Sequence, residues 1–364
     1  MKFGVSFFPV VDPKRKSASA YYDESLRLAQ RAETLGYEHV QIVEHYGSGY
    51  GGYSPDPVTF LAAVASVTSR IRLTTGAVIA AFSHPVKLAA KLAMLDNLSH
   101  GRLDVGFGRA FLPDEFEAFG VPLSESRARF DEGIAACVAL WTQEQVVFEG
   151  RFHRFGPFTS YPRSYQRPHP PLFVASATSP ESCAAAGRAG RHIQVVPSVT
   201  TPQGLLDMIG SYRTARAAAG HAEPGRIQIK YTCYVADSRD LALADARAQE
   251  HNYVASMAAA VSAWARTSSD QYPGYEKFAD KAAAYDFDRA LADHKVLAGS
   301  ADDVREQVAH IRDRYGSDVS LSLQFNPGHL PPERSERALE LFATQVAPAF
   351  QDEPAPVRAA ASVG

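Results

Sequence analysis

The chain is 364 residues long, with 46% apolar residues and a formal net charge of −3 at pH 7. That length suits one large α/β domain with insertions, and the apolar fraction is enough for a sizeable core. Acidic and basic residues are interspersed along the whole chain, which argues against a nucleic-acid binder, whose basic residues gather on one face.

Met1-Lys2-Phe3-Gly4-Val5 runs straight into a strand, with no signal-peptide core, and no apolar run reaches membrane-spanning length. A cytoplasmic protein with no membrane partner is expected. Cys137, Cys183 and Cys233 are far apart and each sits in an apolar run, so buried free thiols are expected and no metal site is.

In chain order, Phe3 to Pro9 reads as a strand. Tyr22, Leu26, Ala29, Ala32 and Leu35 recur at helical spacing, and Gly36 stops that helix. His39 to His45 is a second strand and Asp56 to Val67 a second helix. Ile71 to Ile79 is a third strand, and Ser83 is placed to cap the helix that carries Val86, Leu88, Leu92 and Leu95. Leu103 to Gly108 is a fourth strand, followed by a longer helix with Phe130, Ile134, Val138 and Trp141 on one side. Val146 to Phe155 reads as a hairpin turning at Glu149-Gly150, within a proline-rich insertion at about 146–170. Leu172 to Ala177, His192 to Pro197 and Ile227 to Ala236 continue the strand series, with helices opening at Ser179 and near Gln203.

The stretch from Leu241 to His294 is long, polar and aromatic, and its part at about 253–298 is expected to leave the repeat as an excursion. Ser300 and Asp303 form a capping box ahead of Val304, Val308 and Ile311, and Gly316 ends that helix. Val319 to Phe325 is the last strand and Pro332 to Ala347 the last helix; the Ala- and Pro-rich tail, 351–364, is expected to be disordered. Eight strands alternating with helices give a parallel sheet that closes into a single (β/α)8 TIM barrel, so functional residues should follow strand ends.

Several polar groups fall there: Glu44-His45, Ser83-His84, Arg109 and Thr178-Ser179. Ser179-Pro180-Glu181-Ser182 places an N-cap and a proline at a helix start whose free N–H groups favour a phosphate; it reads equally as a plain helix cap. Arg109 and Arg127 are candidate cationic partners, although Arg127 also fits a solvated first turn. Gly47-Ser48-Gly49-Tyr50-Gly51-Gly52 matches a dinucleotide fingerprint literally, but Tyr53-Ser54-Pro55 separates it from the next helix and the following strand ends without an acid. A flexible glycine loop over the barrel mouth is expected instead.

Taken together, Glu44-His45, Thr75-Gly76-Ala77, Ser83-His84-Pro85, Leu95-Asp96, Ser99-His100-Gly101-Arg102, Gly106-Phe107-Gly108-Arg109, Ser126-Arg127 and Val174 through Ser182 resemble, in order and spacing, the bacterial-luciferase-like flavin monooxygenases over almost the whole chain. The resemblance implies a luciferase-like barrel using reduced FMN from a separate flavin reductase. O2 would add at flavin carbon 4a as a hydroperoxide and one oxygen would pass to a small-molecule substrate: an aldehyde, a ketone or an aromatic natural product. By the same resemblance Arg109, Arg127, Thr178 and Ser179 bind the phosphate, with Glu44 and Ala177 among the cofactor residues, and Gly76-Ala77 lie beside the flavin ring across a cis peptide. His45, His84 and Glu115 are implied as catalytic, and a homodimer is implied. Where luciferase carries a cysteine this chain has Gly108, which argues against light emission. Two alternatives stay open: a non-catalytic flavin-binding relative, and a deazaflavin-dependent oxidoreductase, whose glycine-rich signature differs from Gly106-Phe107-Gly108-Arg109-Ala110-Phe111. Phe7, Phe8, the glycine loop and the 253–298 excursion, with Trp264, Tyr272, Tyr275 and Tyr285, are expected at the substrate; the excursion equally reads as a surface subdomain packing its own aromatics.

Overall fold

A computed structural model describes residues 1–351; the tail expectation for 352–364 lies outside the described residues. Eight parallel strands form a closed ring: β1 (Lys2–Phe7), β2 (His39–Ile42), β3 (Arg72–Thr75), β4 (Leu103–Gly108), β5 (Leu172–Ser176), β6 (His192–Val195), β7 (Ile227–Val235) and β8 (Val319–Gln324). Each strand pairs with the next, and β8 returns to β1 with Leu321 beside Phe3, so the ring leaves no open edge. The helices α1 (Ala18–Thr34), α2 (Pro57–Val67), α3 (Pro85–Leu98), α4 (Ser126–Thr142), α5 (Pro180–Arg188), α6 (Pro202–Ala218), α7 (Ala301–Tyr315) and α8 (Pro332–Leu341) follow the strands in turn. The chain is therefore the expected (β/α)8 barrel.

Alternation along the strands explains where the core sits. Val40, Ile42, Ile193, Val195, Ile229, Leu321 and Leu323 join the helix residues Leu61, Leu88, Ile134, Met208 and Val308 in one large apolar cluster. The residues between them are polar and line the inside of the ring. There His39 Nε2 meets Ser322 Oγ at 2.6 Å, and Gln194 Nε2 reaches Gln228 Oε1 and the Thr75 carbonyl, each at 3.1 Å. Near the start of β4, buried Asp104 accepts paired hydrogen bonds from Arg72 and Arg226.

Some local expectations need correction. Ser83 does not cap α3: His84 does, its Nδ1 accepting from Val86 N–H at 3.3 Å with Pro85 behind it in the first turn. The hairpin pairs Val146–Glu149 with Arg154–Phe158 and turns through Gly150 to His153, because the Glu132 carboxylate on α4 accepts the N–H groups of Arg151, Phe152 and His153. The third strand breaks at Gly76-Ala77, whose peptide is cis, and Val78–Ile79 then pairs with β4 alone. Two elements were not read from the sequence. A short helix, Pro113–Ala118, follows β4, and a ninth strand, Val296–Gly299, pairs with the far half of β7. Between β7 and that strand run the helix Arg239–Val261 and short helical turns up to Ala292.

Candidate active site

β2 ends at Ile42 and delivers Glu44 and His45 to the C-terminal rim, where both are buried. The helix Pro113–Ala118 brings Glu115 against them. His45 Nδ1 lies 3.0 Å from Glu115 Oε1, and the same oxygen accepts the Tyr46 N–H at 2.9 Å. A carboxylate at Nδ1 makes that nitrogen the donor and leaves Nε2, unpartnered among the described residues, to exchange a proton. The imidazole is boxed by the rings of Phe8, Tyr50 and Phe111, with centroids 5.4, 5.4 and 5.8 Å away.

The glycine loop opens no helix; α2 is capped by Asp56 further on. It is tied down, contrary to a flexible reading: Tyr50 is buried and bridges Val10, and Gly51 N–H bonds the Pro9 carbonyl at 2.8 Å. Gly51 has φ +82°, and a Cβ there would stand 2.7 Å from the His45 Cβ. Gly51→Ala is therefore expected to displace His45 and to cost about 1 kcal/mol or more of stability. A lowered thermal midpoint with reduced turnover checks this; an unchanged turnover number refutes the displacement.

Glu44 lies behind the cis peptide. Its Oε1 accepts from the Tyr46 hydroxyl at 2.7 Å and its Oε2 from the Ile79 N–H at 3.1 Å. Burial pushes its pKa up to about 7, against the downward pull of those two bonds. Gly76 and Ala77 sit just before this anchored stretch. A side chain at Gly108 would press on Ala77 Cβ and Ile79 Cδ1 at 3.1 Å, so the bare glycine keeps that surface open.

Arg109 follows β4. Its Nη2 donates to the Gln271 carbonyl at 2.6 Å and its guanidinium stacks 4.3 Å from the Tyr272 ring, while Nη1 is buried with no hydrogen-bond partner among the described residues. Burial lowers the Arg109 pKa, and the nearby Arg127 adds to that effect. Among the described residues neither arginine is paired with a carboxylate, and Arg127 is exposed, so both can face an anion. Thr178 sits by the Tyr275 hydroxyl, and Ala177 and Thr178 are partly exposed at the end of β5. Ser179 Oγ accepts the Ser182 N–H at 3.1 Å, so its side chain caps α5, while Glu181 turns away to Arg188. Arg109 and Thr178 both lie by Tyr275, Arg127 lies near Arg109, and Thr178 precedes the cap of α5, a donor set that fits a phosphate.

His84 does not join His45 and Glu115. It is exposed, caps α3, and packs its ring 5.2 Å from His153 of the hairpin. The sequence reading also passed over Tyr46 and Lys230, the latter detectable from the two-residue period of β7. The excursion covers this rim: Trp264 Nε1 donates to the Phe111 carbonyl at 2.9 Å and the Tyr272 hydroxyl to the Ala110 carbonyl at 2.9 Å. Tyr285 instead bonds Glu250, away from those contacts.

In comparisons with known proteins, the model for luciferase-like monooxygenases matches residues 1–318. The oxygenase component of a flavin-dependent trigonelline monooxygenase from Acinetobacter baylyi is 29% identical over 343 residues, covering 91% of this chain and 90% of that protein. An FMNH2-dependent dimethylsulfone monooxygenase from Pseudomonas putida is 30% identical over 218 residues, 58% of this chain and 59% of that one. The crystal structure of monooxygenase RslO1 from Streptomyces bottropensis is 48% identical and superposes with a TM-score of 0.88, covering 96% of this chain and 100% of that one.

Proposed function

The chain belongs to the luciferase-like monooxygenase family, and from that premise we propose that it is the oxygenase of a two-component system using reduced FMN and O2 on a small organic substrate. The observation that carries this reading is the His45–Glu115 pair on the same rim as Arg109, whose buried Nη1 lacks a partner among the described residues. When bound, reduced FMN supplies the two electrons that activate O2, one atom going to the substrate and the other leaving as water.

Arg109, Arg127, Thr178 and the Glu181 N–H, the one first-turn donor of α5 not already bonded among the described residues, would hold the phosphate. Gly76 and Ala77 would flank the flavin, and Glu44 fixes the stretch that follows through Ile79. His45 moves a proton at Nε2, with Glu115 holding the imidazole in register. The aromatic residues of the 253–298 excursion act as a lid that excludes water, supported by the Trp264 and Tyr272 bonds to Phe111 and Ala110 just after β4. A separate flavin reductase supplies the reduced FMN. Among the described residues no helix is long and apolar enough to cross a membrane. A homodimer is consistent with the exposed apolar side chains of Val67, Met94 and Leu98 on α2 and α3.

The test is anaerobic titration with reduced FMN and, in parallel, reduced deazaflavin F420, followed by oxygen mixing. Tight FMN binding with oxygen transfer to substrate is expected; preferential F420 binding without oxygen consumption overturns the reading. Arg109→Ala is expected to weaken FMN binding roughly 10- to 100-fold, as loss of a charge-assisted bond does, with riboflavin affinity little changed. Equal losses for FMN and riboflavin would remove Arg109 from the phosphate site.

A further inference from the structure

Lys230 is a charged residue on the inner face of the barrel that the reading above does not use. It lies on β7 two positions beyond Gln228, whose amide meets Gln194 inside the ring. It pairs in register with Ser322 of β8. Its Nζ stands 4.1 Å from the centroid of the Phe8 ring, which follows β1. Because β8 separates β7 from β1, this contact is made across the inside of the barrel. Phe8 in turn packs on His45, Tyr50 and Tyr253, at centroid distances of 5.4, 4.6 and 5.8 Å. Lys230 therefore shares one aromatic box with the catalytic imidazole.

Among the described residues Lys230 has neither a hydrogen bond nor a counter-ion within 4 Å. The carboxylate that acts on it is Glu250, on the helix Arg239–Val261. Both Glu250 oxygens are already engaged, by the hydroxyls of Tyr234 at 3.1 Å and Tyr285 at 3.2 Å. An ammonium held in a half-buried aromatic box without a paired anion is costly unless a ligand supplies the negative charge. Burial pulls its pKa down to about 7, with Glu250 pulling it back, so Lys230 can exist as the amine near neutrality.

The geometry points to Lys230 as a specificity-determining residue that receives an acidic hydroxyl of an aromatic substrate, a phenol or enol, as its anion. This rests on the proposed oxygenase reading for its catalytic meaning and deepens it by naming the substrate class. The aromatic body packs beside Lys230 against the outer side of the cluster of Phe8, Tyr50 and Tyr253. The substrate O–H gives its proton to the neutral amine of Lys230, leaving an ammonium paired with a phenolate or enolate. No electrons move in that step. The anion is the electron-rich form that accepts an oxygen atom most readily, and it forms close to His45.

The probe is 4-nitrophenol, whose ionised form is yellow, titrated into the full chain with and without FMN slightly below neutral pH; nitrobenzene serves as the ligand without a hydroxyl. Wild-type protein is expected to bind the phenol and turn it yellow. Lys230→Met is expected to weaken 4-nitrophenol binding roughly 10- to 100-fold and abolish the colour, the loss typical of a hydrogen bond to a charged group. Nitrobenzene and FMN affinities should be unchanged, and Lys230→Arg should restore phenolate binding. The proposal is overturned if wild type binds no phenol, if both ligands weaken together as for a packing role, or if only FMN binding changes. Reduced FMN binding and oxygen consumption are read separately, so a failed oxygenase reading is distinguishable from a failed role for Lys230.

Discussion

His45→Ala is expected to lower oxygen transfer to substrate roughly 100- to 10,000-fold, the range of a positioned general acid–base, with reduced-FMN affinity unchanged. The reason is geometric. Glu115 holds Nδ1 at 3.0 Å and the Tyr46 N–H pins the same carboxylate oxygen, so the ring presents Nε2 in one orientation. Glu115→Gln keeps the shape but offers an amide to Nδ1. It is expected to retain part of the activity, because the imidazole stays while its tautomer is no longer enforced. The double variant should be little worse than His45→Ala alone, since Glu115 acts through His45. Single-turnover mixing with oxygen, followed by mass analysis of product, checks all three. Full turnover by His45→Ala, with normal flavin binding, would remove the histidine from the chemistry.

The fold was legible because β/α alternation leaves a periodic trace. Gly36, Gly316 and the Ser300–Asp303 box mark helix ends by local backbone chemistry, which needs no tertiary information. The strand expected over His39 to His45 was overextended by three residues, and the one expected over Ile71 to Ile79 is interrupted at Gly76-Ala77 before Val78–Ile79 pairs again. After Ile42 the apolar run continues although the strand has ended, since Val43 packs in the apolar cluster at the barrel mouth. The helix Pro113–Ala118 was missed because six residues carry too little periodicity, although it delivers Glu115. His84 is a different case. A histidine after a strand looks functional in one dimension, yet a following proline and a free N–H at Val86 give it a capping role. The two-residue period of β7 puts Lys230 on the same face as Gln228, but only closure of the ring shows that this face looks across the barrel to Phe8.

The second large effect concerns stability and lies at the other end of the barrel. Asp104 is buried and holds both guanidiniums of Arg72 and Arg226, with four bonds of 2.6 to 2.9 Å. Burial opposes its ionisation, but the two arginines more than offset this and keep its pKa below the usual carboxylate range. Asp104→Ala leaves two partly buried cations facing each other without a counter-ion. The expected cost is about 3 kcal/mol, the low end for breaking a buried ion pair because both arginines retain some exposure. The sign with pH follows from the depressed pKa. The Asp104 contribution is fully present above the unfolded-state value near 4 and is lost as pH falls through the lower folded-state value. Thermal midpoints of wild type and variant should therefore be well separated at pH 7 and draw together in acid. Coincident midpoints at pH 7 would mean that the triad fixes register at the base of the barrel without stabilising it, whereas a wide, pH-dependent gap makes Asp104 the residue that lets a polar interior close at all.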